Sequence, residues 1–185
     1  RMQMRLADPE LWPDVLETTR PEVLVCALGT TWRKAGQDEE AFRAVDERLV
    51  LDVAQAAKDT GTWHFIFVSS VGADAVSKTL YLRVKGETEA ALGKLRFKRL
   101  DILRPGLLRG VRRGETRPAE GLGRLASPFA DLLLHGKNRR FRSISAHTLA
   151  EAILGLAKEK AGGRFIHEHD ALIRAAHRFK EPLAR

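Results

Sequence analysis

The chain has 185 residues, 44% of them apolar and 6% aromatic, with 32 Lys plus Arg against 24 Asp plus Glu for a net charge of +8. That length suits one domain with a real core, and the modest positive charge admits anionic ligands or nucleic acid without demanding either. No apolar stretch approaches the roughly 20 residues that span a bilayer, and no signal-peptide pattern is visible, so no membrane partner is expected.

Taken in chain order, Met2 to Leu6 reads as a strand leading into a short helix over Leu11 to Glu17. Val23 to Leu28 is a continuous apolar run, as in strands buried on both faces, and Gly29-Thr30-Thr31 ends it. Within it lies Cys26, the single cysteine. It excludes an internal disulfide, fits a reducing, cytoplasmic setting, and reads as a small buried residue. From Glu39 to Lys58 the apolar residues Phe42, Val45, Leu49, Val50, Val53 and Ala56 recur at helical spacing, and Gly61 closes the segment. His64 to Val68 is a second strand, Thr79 to Leu95 a helix, and Arg99 to Leu103 a third strand ended by Arg104-Pro105-Gly106. This alternation predicts an α/β fold, a parallel sheet covered on both faces with these three strands adjacent and central. Arg109 to Gly123 reads as a loop, Leu125 to Leu134 and Ala146 to Lys160 as helices, Gly163 to His167 as a last strand, and Asp170 to Phe179 as a last helix.

The chemistry-bearing motif is Tyr81-Leu-Arg-Val-Lys85. Residues four apart on a helix share a face. There a lysine ammonium can favour the phenolate of a tyrosine whose unperturbed pKa is about 10. Ser69-Ser70 follows directly on the strand His64 to Val68, at a strand's carboxyl end, where open α/β sheets place their ligands. A serine there can hold a carbonyl oxygen while the tyrosine moves its proton. Ser70, Tyr81 and Lys85 are therefore the candidate catalytic residues.

Val25-Cys-Ala-Leu-Gly-Thr-Thr-Trp-Arg-Lys-Ala-Gly36, Phe42-Arg-Ala-Val-Asp46, Val68-Ser-Ser-Val-Gly-Ala-Asp74, Leu80-Tyr-Leu-Arg-Val-Lys-Gly-Glu87 and Leu103-Arg-Pro-Gly-Leu-Leu108 resemble segments of one family. It is the Tat-interacting oxidoreductase family, atypical members of the short-chain dehydrogenase/reductase superfamily. The resemblance runs from about Val23 to Glu120. It implies a Rossmann-type doubly wound sheet binding NADP(H) or NAD(H), NADP(H) ahead, and hydride transfer between the nicotinamide and a carbonyl or alcohol. By position, Tyr81 matches the catalytic tyrosine, Lys85 the lysine that also bonds the nicotinamide ribose, and Ser70, with Ser69 beside it, the carbonyl-orienting serine. Leu28, Gly29 and Thr30 match the loop along the cofactor, Pro105 to Leu108 the turn near the nicotinamide, and Arg117 the arginine closing on the cofactor phosphates. The whole chain, 1–185, is expected to form one such domain. Residues 1–108 form its sheet core and 109–185 a small substrate-side region of loop, helices and last strand. A monomer or homodimer is expected.

The family's N-terminal Gly-rich turn is absent. Gly121-Leu-Gly123-Arg-Leu-Ala126 follows a polar loop, not a strand, and reads as a helix lead-in. We therefore expect a protein longer at its N-terminus by on the order of 40 residues, and an exposed sheet edge without them. Lys137 to Arg142 reads as a solvated basic surface with no nucleic-acid pattern, and Arg112-Arg113 as part of a solvated loop. His167 and His169 lack a third ligand for a metal. Trp12, Trp32 and Trp63 read as packing residues, with Trp32 also placed to line a substrate entrance. The rival function is a regulatory module that binds NADP(H) as a redox sensor without turnover.

Overall fold

The computed structural model describes residues 7–109, 131 and 134–180. Strands β1 (Val23–Cys26), β2 (His64–Val68) and β3 (Arg99–Leu103) lie side by side, joined by helical crossovers, and Gly163–His167 adds to the far side of β3. All pairs are parallel, with Val23 opposite His64, His64 opposite Arg99 and Arg99 opposite Gly163. A second, two-stranded parallel ribbon pairs β4 (Leu108–Arg109) with β5 (Ile144–Ser145). In chain order Gly163–His167 is β6. The α/β parallel sheet with helices on both faces is as the apolar runs and helical spacings required, and its Rossmann type is as the family resemblance implied.

One face carries α1 (Trp12–Thr19), α3 (Leu49–Asp59) and α4 (Leu80–Lys94), which bury Leu16, Val50, Ala54, Ala57 and Leu92 against Phe65, Phe67, Leu100 and Ile102. The other carries α5 (Ala146–Ala157) and α6 (His169–Lys180), whose Leu149, Ala152, Leu156, Leu172, Ala175 and Ala176 pack on Ile66 and Leu103. The two faces of β2 and β3 are thus both covered, which is why those strands are buried along their length and mostly apolar, with His64, Arg99 and Asp101 as the buried polar exceptions.

Three details depart from expectation. The segment Val23 to Leu28 is neither that long nor central: β1 stops at Cys26 and is the outer strand among the described residues. Beyond the strand the chain is held by the helix that follows it, the Thr30 N–H donating to Asp46 Oδ2 at 2.7 Å. An apolar groove lined by Trp12, Val15, Leu16, Val25 and Leu28 runs beside that edge. The helix over Glu39 to Lys58 is three pieces: α2 (Glu39–Arg43), a π-helical turn (Ala44–Arg48) and α3. Its start is capped by Asp38, which accepts the Ala41 N–H at 2.7 Å. Third, Gly163–His167, grouped in the sequence with the substrate-side region, pairs with β3 and extends the main sheet. The readings of Met2 to Leu6, Arg112-Arg113, Arg117 and Gly121 to Ala126, and most of Leu125 to Leu134, lie outside the described residues.

Candidate active site at the carboxyl ends of the strands

Tyr81 and Lys85 stand one turn apart near the start of α4, and each packs on the helix that follows β1. The Tyr81 ring lies 5.9 Å from that of Phe42, which in turn meets Trp32 edge-on at 6.2 Å. One turn further along, Lys85 Nζ lies 2.8 Å from Asp46 Oδ1 and 5.2 Å from the centre of the Phe67 ring. Phe42 and Asp46 are themselves four apart, so two matched pairs of residues lock the helices in register. Trp32 and Tyr81 are partly open at 40% and 37%, whereas Phe42 and Asp46 are fully buried. Among the described residues the Tyr81 hydroxyl makes no hydrogen bond.

The Ser69-Ser70 loop is pinned from three sides. Ser69 N donates to Leu103 O at 2.7 Å, Val71 N to Pro105 O at 3.0 Å, and Asp74 N to Leu82 O at 3.0 Å. The last of these closes the loop on the turn of α4 next to Tyr81. The two serines differ in environment. Ser69 is buried and donates to Glu89 Oε1 at 2.5 Å. Ser70 is half-buried, and its hydroxyl reaches only its neighbour's carbonyl, Val71 O, at 3.5 Å. Ser70 is thus the serine left available to a ligand, and no hydrogen bond joins it to Tyr81 among the described residues.

Glu89 also takes the Arg104 guanidinium in a two-point contact, Nε at 3.0 Å and Nη2 at 2.5 Å. It ties α4 to the Arg104-Pro105-Gly106 turn. The hydrogen bonds that the Arg104 guanidinium donates to Glu89 hold it above its usual range, against the cost of burial. On the outer side, Arg43 gathers Glu39, Glu47 and Glu87 at 2.9, 2.6 and 2.8 Å and fastens α2 to α4. Burial pushes the Cys26 thiol up, opposed by the Leu28 backbone and the Lys85 ammonium. It is an inert core residue facing Lys85, not a nucleophile.

The cofactor-side candidates fall at the expected end of the sheet. Leu28, Gly29 and Thr30 follow β1, and Pro105 and Leu108 follow β3. A Cβ on Gly29 would sit 3.2 Å from Asp46 Oδ1 and 3.6 Å from Lys85 Nζ, so the loop runs directly over the ion pair. A Cβ on Gly86 would lie 2.3 Å from Ala75 N and Asp74 C, which cannot move without opening the serine loop. Gly86→Ala is therefore expected to cost about 1–3 kcal/mol in chemical denaturation and to loosen the Ser70 loop.

Four contributors escaped the sequence reading: Asp46, Gly86, Glu89 and Arg104. The residue next to Lys85 being Gly86, in mid-helix, was the available signal, since glycine weakens a helix unless something approaches closely. Of the remaining candidates, Trp12 and Trp63 pack as expected, and His167 is engaged by a carboxylate of the sheet. Its Nε2 bonds Asp101 Oδ1 at 2.6 Å, while His64 Nε2 bonds Asp101 Oδ2 at 2.6 Å. His169 pairs with Asp170 at 3.1 Å. The basic run is exposed from Lys137 to Phe141, and within it Arg139 and Arg140 pair at the surface with Asp170 and Glu168 of the α6 region at 3.1 and 3.9 Å. Among the described residues no helix is long and apolar enough to cross a membrane.

A sequence profile of the HIM1 family matches residues 3–138. The chain belongs to the HIM1 family. It is 50% identical over 103 residues to Protein HTATIP2 of Rattus norvegicus, covering 56% of this chain and 41% of that one. It is 43% identical over 119 residues to the protein fmp52, mitochondrial, of Emericella nidulans, covering 63% and 50%. The HIM1 chain described here thus spans about half the length of these curated relatives. The resemblance to the Tat-interacting oxidoreductase family is borne out.

Solved structures share the fold at low identity. The Bordetella bronchiseptica enzyme WbmG in complex with NAD superposes with a TM-score of 0.59 at 17% identity, over 87% of this chain and 55% of that one. RMD of Pseudomonas aeruginosa complexed with NADPH gives 0.61 at 16%, over 90% and 66%. One expectation is overturned. The cytoplasmic setting drawn from the lone cysteine does not stand, because the fungal relatives are named mitochondrial proteins. A free thiol marks a reducing environment, and that is not confined to one compartment.

Proposed function

We propose that this HIM1 protein is a nicotinamide-dependent oxidoreductase that reduces a carbonyl, or in reverse oxidises an alcohol, at a site built from Ser70, Tyr81 and Lys85. The observation that carries the reading is the exposed Tyr81 hydroxyl, without a partner among the described residues, one turn from a buried lysine and beside the loop of an available serine. Ser70 Oγ donates to the carbonyl oxygen and orients it. Tyr81 gives that oxygen its proton as a general acid, and Lys85 stabilises the phenolate left behind. Trp32 and Tyr81, both backed by the buried Phe42, form an aromatic wall at the mouth, which suits a substrate with apolar surface next to its carbonyl.

The residues present fit a dinucleotide. Backbone without side chain at Gly29 passes over Lys85, and the loops after β1 and β3 open at the carboxyl ends of parallel strands, where such ligands bind. Leu28, Gly29 and Thr30 would line the cofactor, Pro105 and Leu108 would border the nicotinamide, Lys85 would reach the ribose, and Arg117 would close on the phosphates. NADP(H) is preferred over NAD(H) on the family resemblance. When bound, the nicotinamide supplies the hydride that goes to the carbonyl carbon. The whole chain serves as one domain, and we place the protein in mitochondria on the names of its fungal relatives.

The test is NADPH fluorescence titration followed by a screen of carbonyl substrates. Saturable binding with turnover is the expected result. Binding without turnover of any carbonyl would turn the reading to the redox sensor, and no binding would remove both.

A further inference from the structure

Past the turn that follows β3 lies a cavity of about 320 Å³ that the reaction outlined above does not use. The ribbon of β4 and β5 and the first turns of α5 and α6 line it, with Arg109, Arg142, Ser145, Thr148, His169 and Asp131 as its polar walls. Backbone contacts tie it to the candidate active site. Val71 N, next to Ser70, donates to Pro105 O at 3.0 Å, and Ile144 N donates to Leu107 O at 3.0 Å. Gly106 packs on the Phe141 and Arg142 carbonyls with no room for a Cβ between them. Pro105 and Arg109 are four residues apart, so at most about 14 Å of chain separates the anchor of the serine loop from the cavity wall.

The walls favour a negative charge. Among the described residues the Arg109 guanidinium has no partner, and Arg142 uses only Nε, which donates to Leu134 O at 2.9 Å and leaves its terminal nitrogens unused. The Ser145 hydroxyl accepts the Thr148 N–H at 2.9 Å and shares one hydrogen bond with Thr148 Oγ1 at 2.7 Å. Two hydroxyls that share one bond leave one O–H free to donate. The acidic groups around the cavity are engaged elsewhere. Asp131 accepts both the N–H, at 2.9 Å, and the hydroxyl of Ser143. Asp170 lies 3.1 Å from Arg139 and 3.1 Å from His169, and Glu168 lies 3.9 Å from Arg140. Arg109 and Arg142 are thus the two guanidiniums on the cavity, and neither faces a carboxylate among the described residues. The starts of α5 and α6 add the positive ends of two helix dipoles.

Building on the oxidoreductase reading, we propose that this cavity binds an anionic group of the substrate, so that the protein acts on carbonyl compounds that carry a phosphate or a carboxylate several bonds from the carbonyl. Arg109 and Arg142 donate to the anion's oxygens in the forked geometry that suits phosphate and carboxylate alike. The free hydroxyl of the Ser145–Thr148 pair adds a third contact. A volume of about 320 Å³ is at the small end of ligand pockets, which fits an anionic group on a short chain.

Inorganic phosphate and acetate are the probes, titrated calorimetrically into the full chain at low salt. Wild type is expected to bind at least one of them saturably, and more weakly as salt is added. Phosphate alone bound identifies a phosphate ester as the substrate class, acetate alone a carboxylate, and both together an anion of either kind. Arg109→Met and Arg142→Met are each expected to weaken that binding by about tenfold, the loss expected for one charged hydrogen-bonding partner. Arg109 is exposed and unpartnered among the described residues, so its variant keeps the fold and decides the matter even if Arg142→Met does not fold. No saturable binding of either probe would overturn the proposal. Affinities equal in wild type and Arg109→Met would overturn it too, by placing the anion elsewhere. The titration needs neither cofactor nor turnover. Its failure leaves the reductase reading standing, and a failed NADPH titration leaves the anion site standing.

Discussion

Tyr81→Phe is expected to lower carbonyl reduction by about 10²–10⁴-fold, the usual range for loss of a positioned proton donor, while leaving the fold intact. The side chain is 37% exposed and its hydroxyl has no protein partner among the described residues, so removing the oxygen breaks nothing. The ring keeps its contact with Phe42 at 5.9 Å. Stability should stay within about 0.5 kcal/mol of wild type, and cofactor binding should persist. Steady-state rates at saturating cofactor, with denaturant unfolding as the control, make the measurement. Equal rates in the two proteins would mean that the proton comes from elsewhere, and the sensor would remain as the reading of this family member.

The largest effect on stability is expected far from that site, at Asp101. Its carboxylate is fully buried in the middle of β3 and takes hydrogen bonds from His64 at 2.6 Å, His167 at 2.6 Å and Arg99 at 2.5 Å, joining β2, β3 and β6. Asp101→Ala leaves the buried Arg99 guanidinium and His64 imidazole, and the half-buried His167, without their acceptor and should cost about 3–5 kcal/mol, a large part of a domain's margin. The same network gives a pH dependence. Burial alone would push the Asp101 carboxyl up, but the hydrogen bonds from His167, His64 and Arg99 outweigh it and hold it well below the usual carboxylate range. A depressed folded-state value contributes stability that is present above the unfolded value, about 3.9, and is lost as pH falls below it. Acid unfolding of wild type should therefore steepen below about pH 4. In the double variant Asp101→Ala with Arg99→Met that portion should be missing. Urea midpoints measured across pH check both statements, and an Asp101→Ala variant as stable as wild type would show the network to be idle.

Much of this architecture was legible because burial on both faces leaves a plain mark. The runs His64 to Val68 and Arg99 to Leu103 are apolar enough to be strands with those boundaries, and the helices between them follow from spacing. Tyr81 and Lys85 were legible for a local reason: four residues on a helix always share a face, whatever surrounds them. Ser70 was placed at a strand end by the same local logic, but its choice over Ser69 rests on Glu89, which is 20 residues away. Val23 to Leu28 looked like a central strand because its composition is apolar, and composition does not say which edge of a sheet lacks a neighbour.

What the sequence by itself determined is the part governed by short-range periodicity: the α/β class, the parallel order of the strands and the helical face that carries Tyr81 and Lys85. Only the tertiary structure decided the electrostatic setting of that face. Asp46 reaches Lys85 across 39 residues of chain, and Asp101 meets His64 and His167 across 37 and 66. Such pairings leave no periodic trace, because a buried charge depends on which side chain folding brings within about 3 Å of it, not on its neighbours in sequence. The same holds for Gly86, whose missing side chain is explained by the Asp74–Ala75 backbone 2.3 Å from where a Cβ would stand.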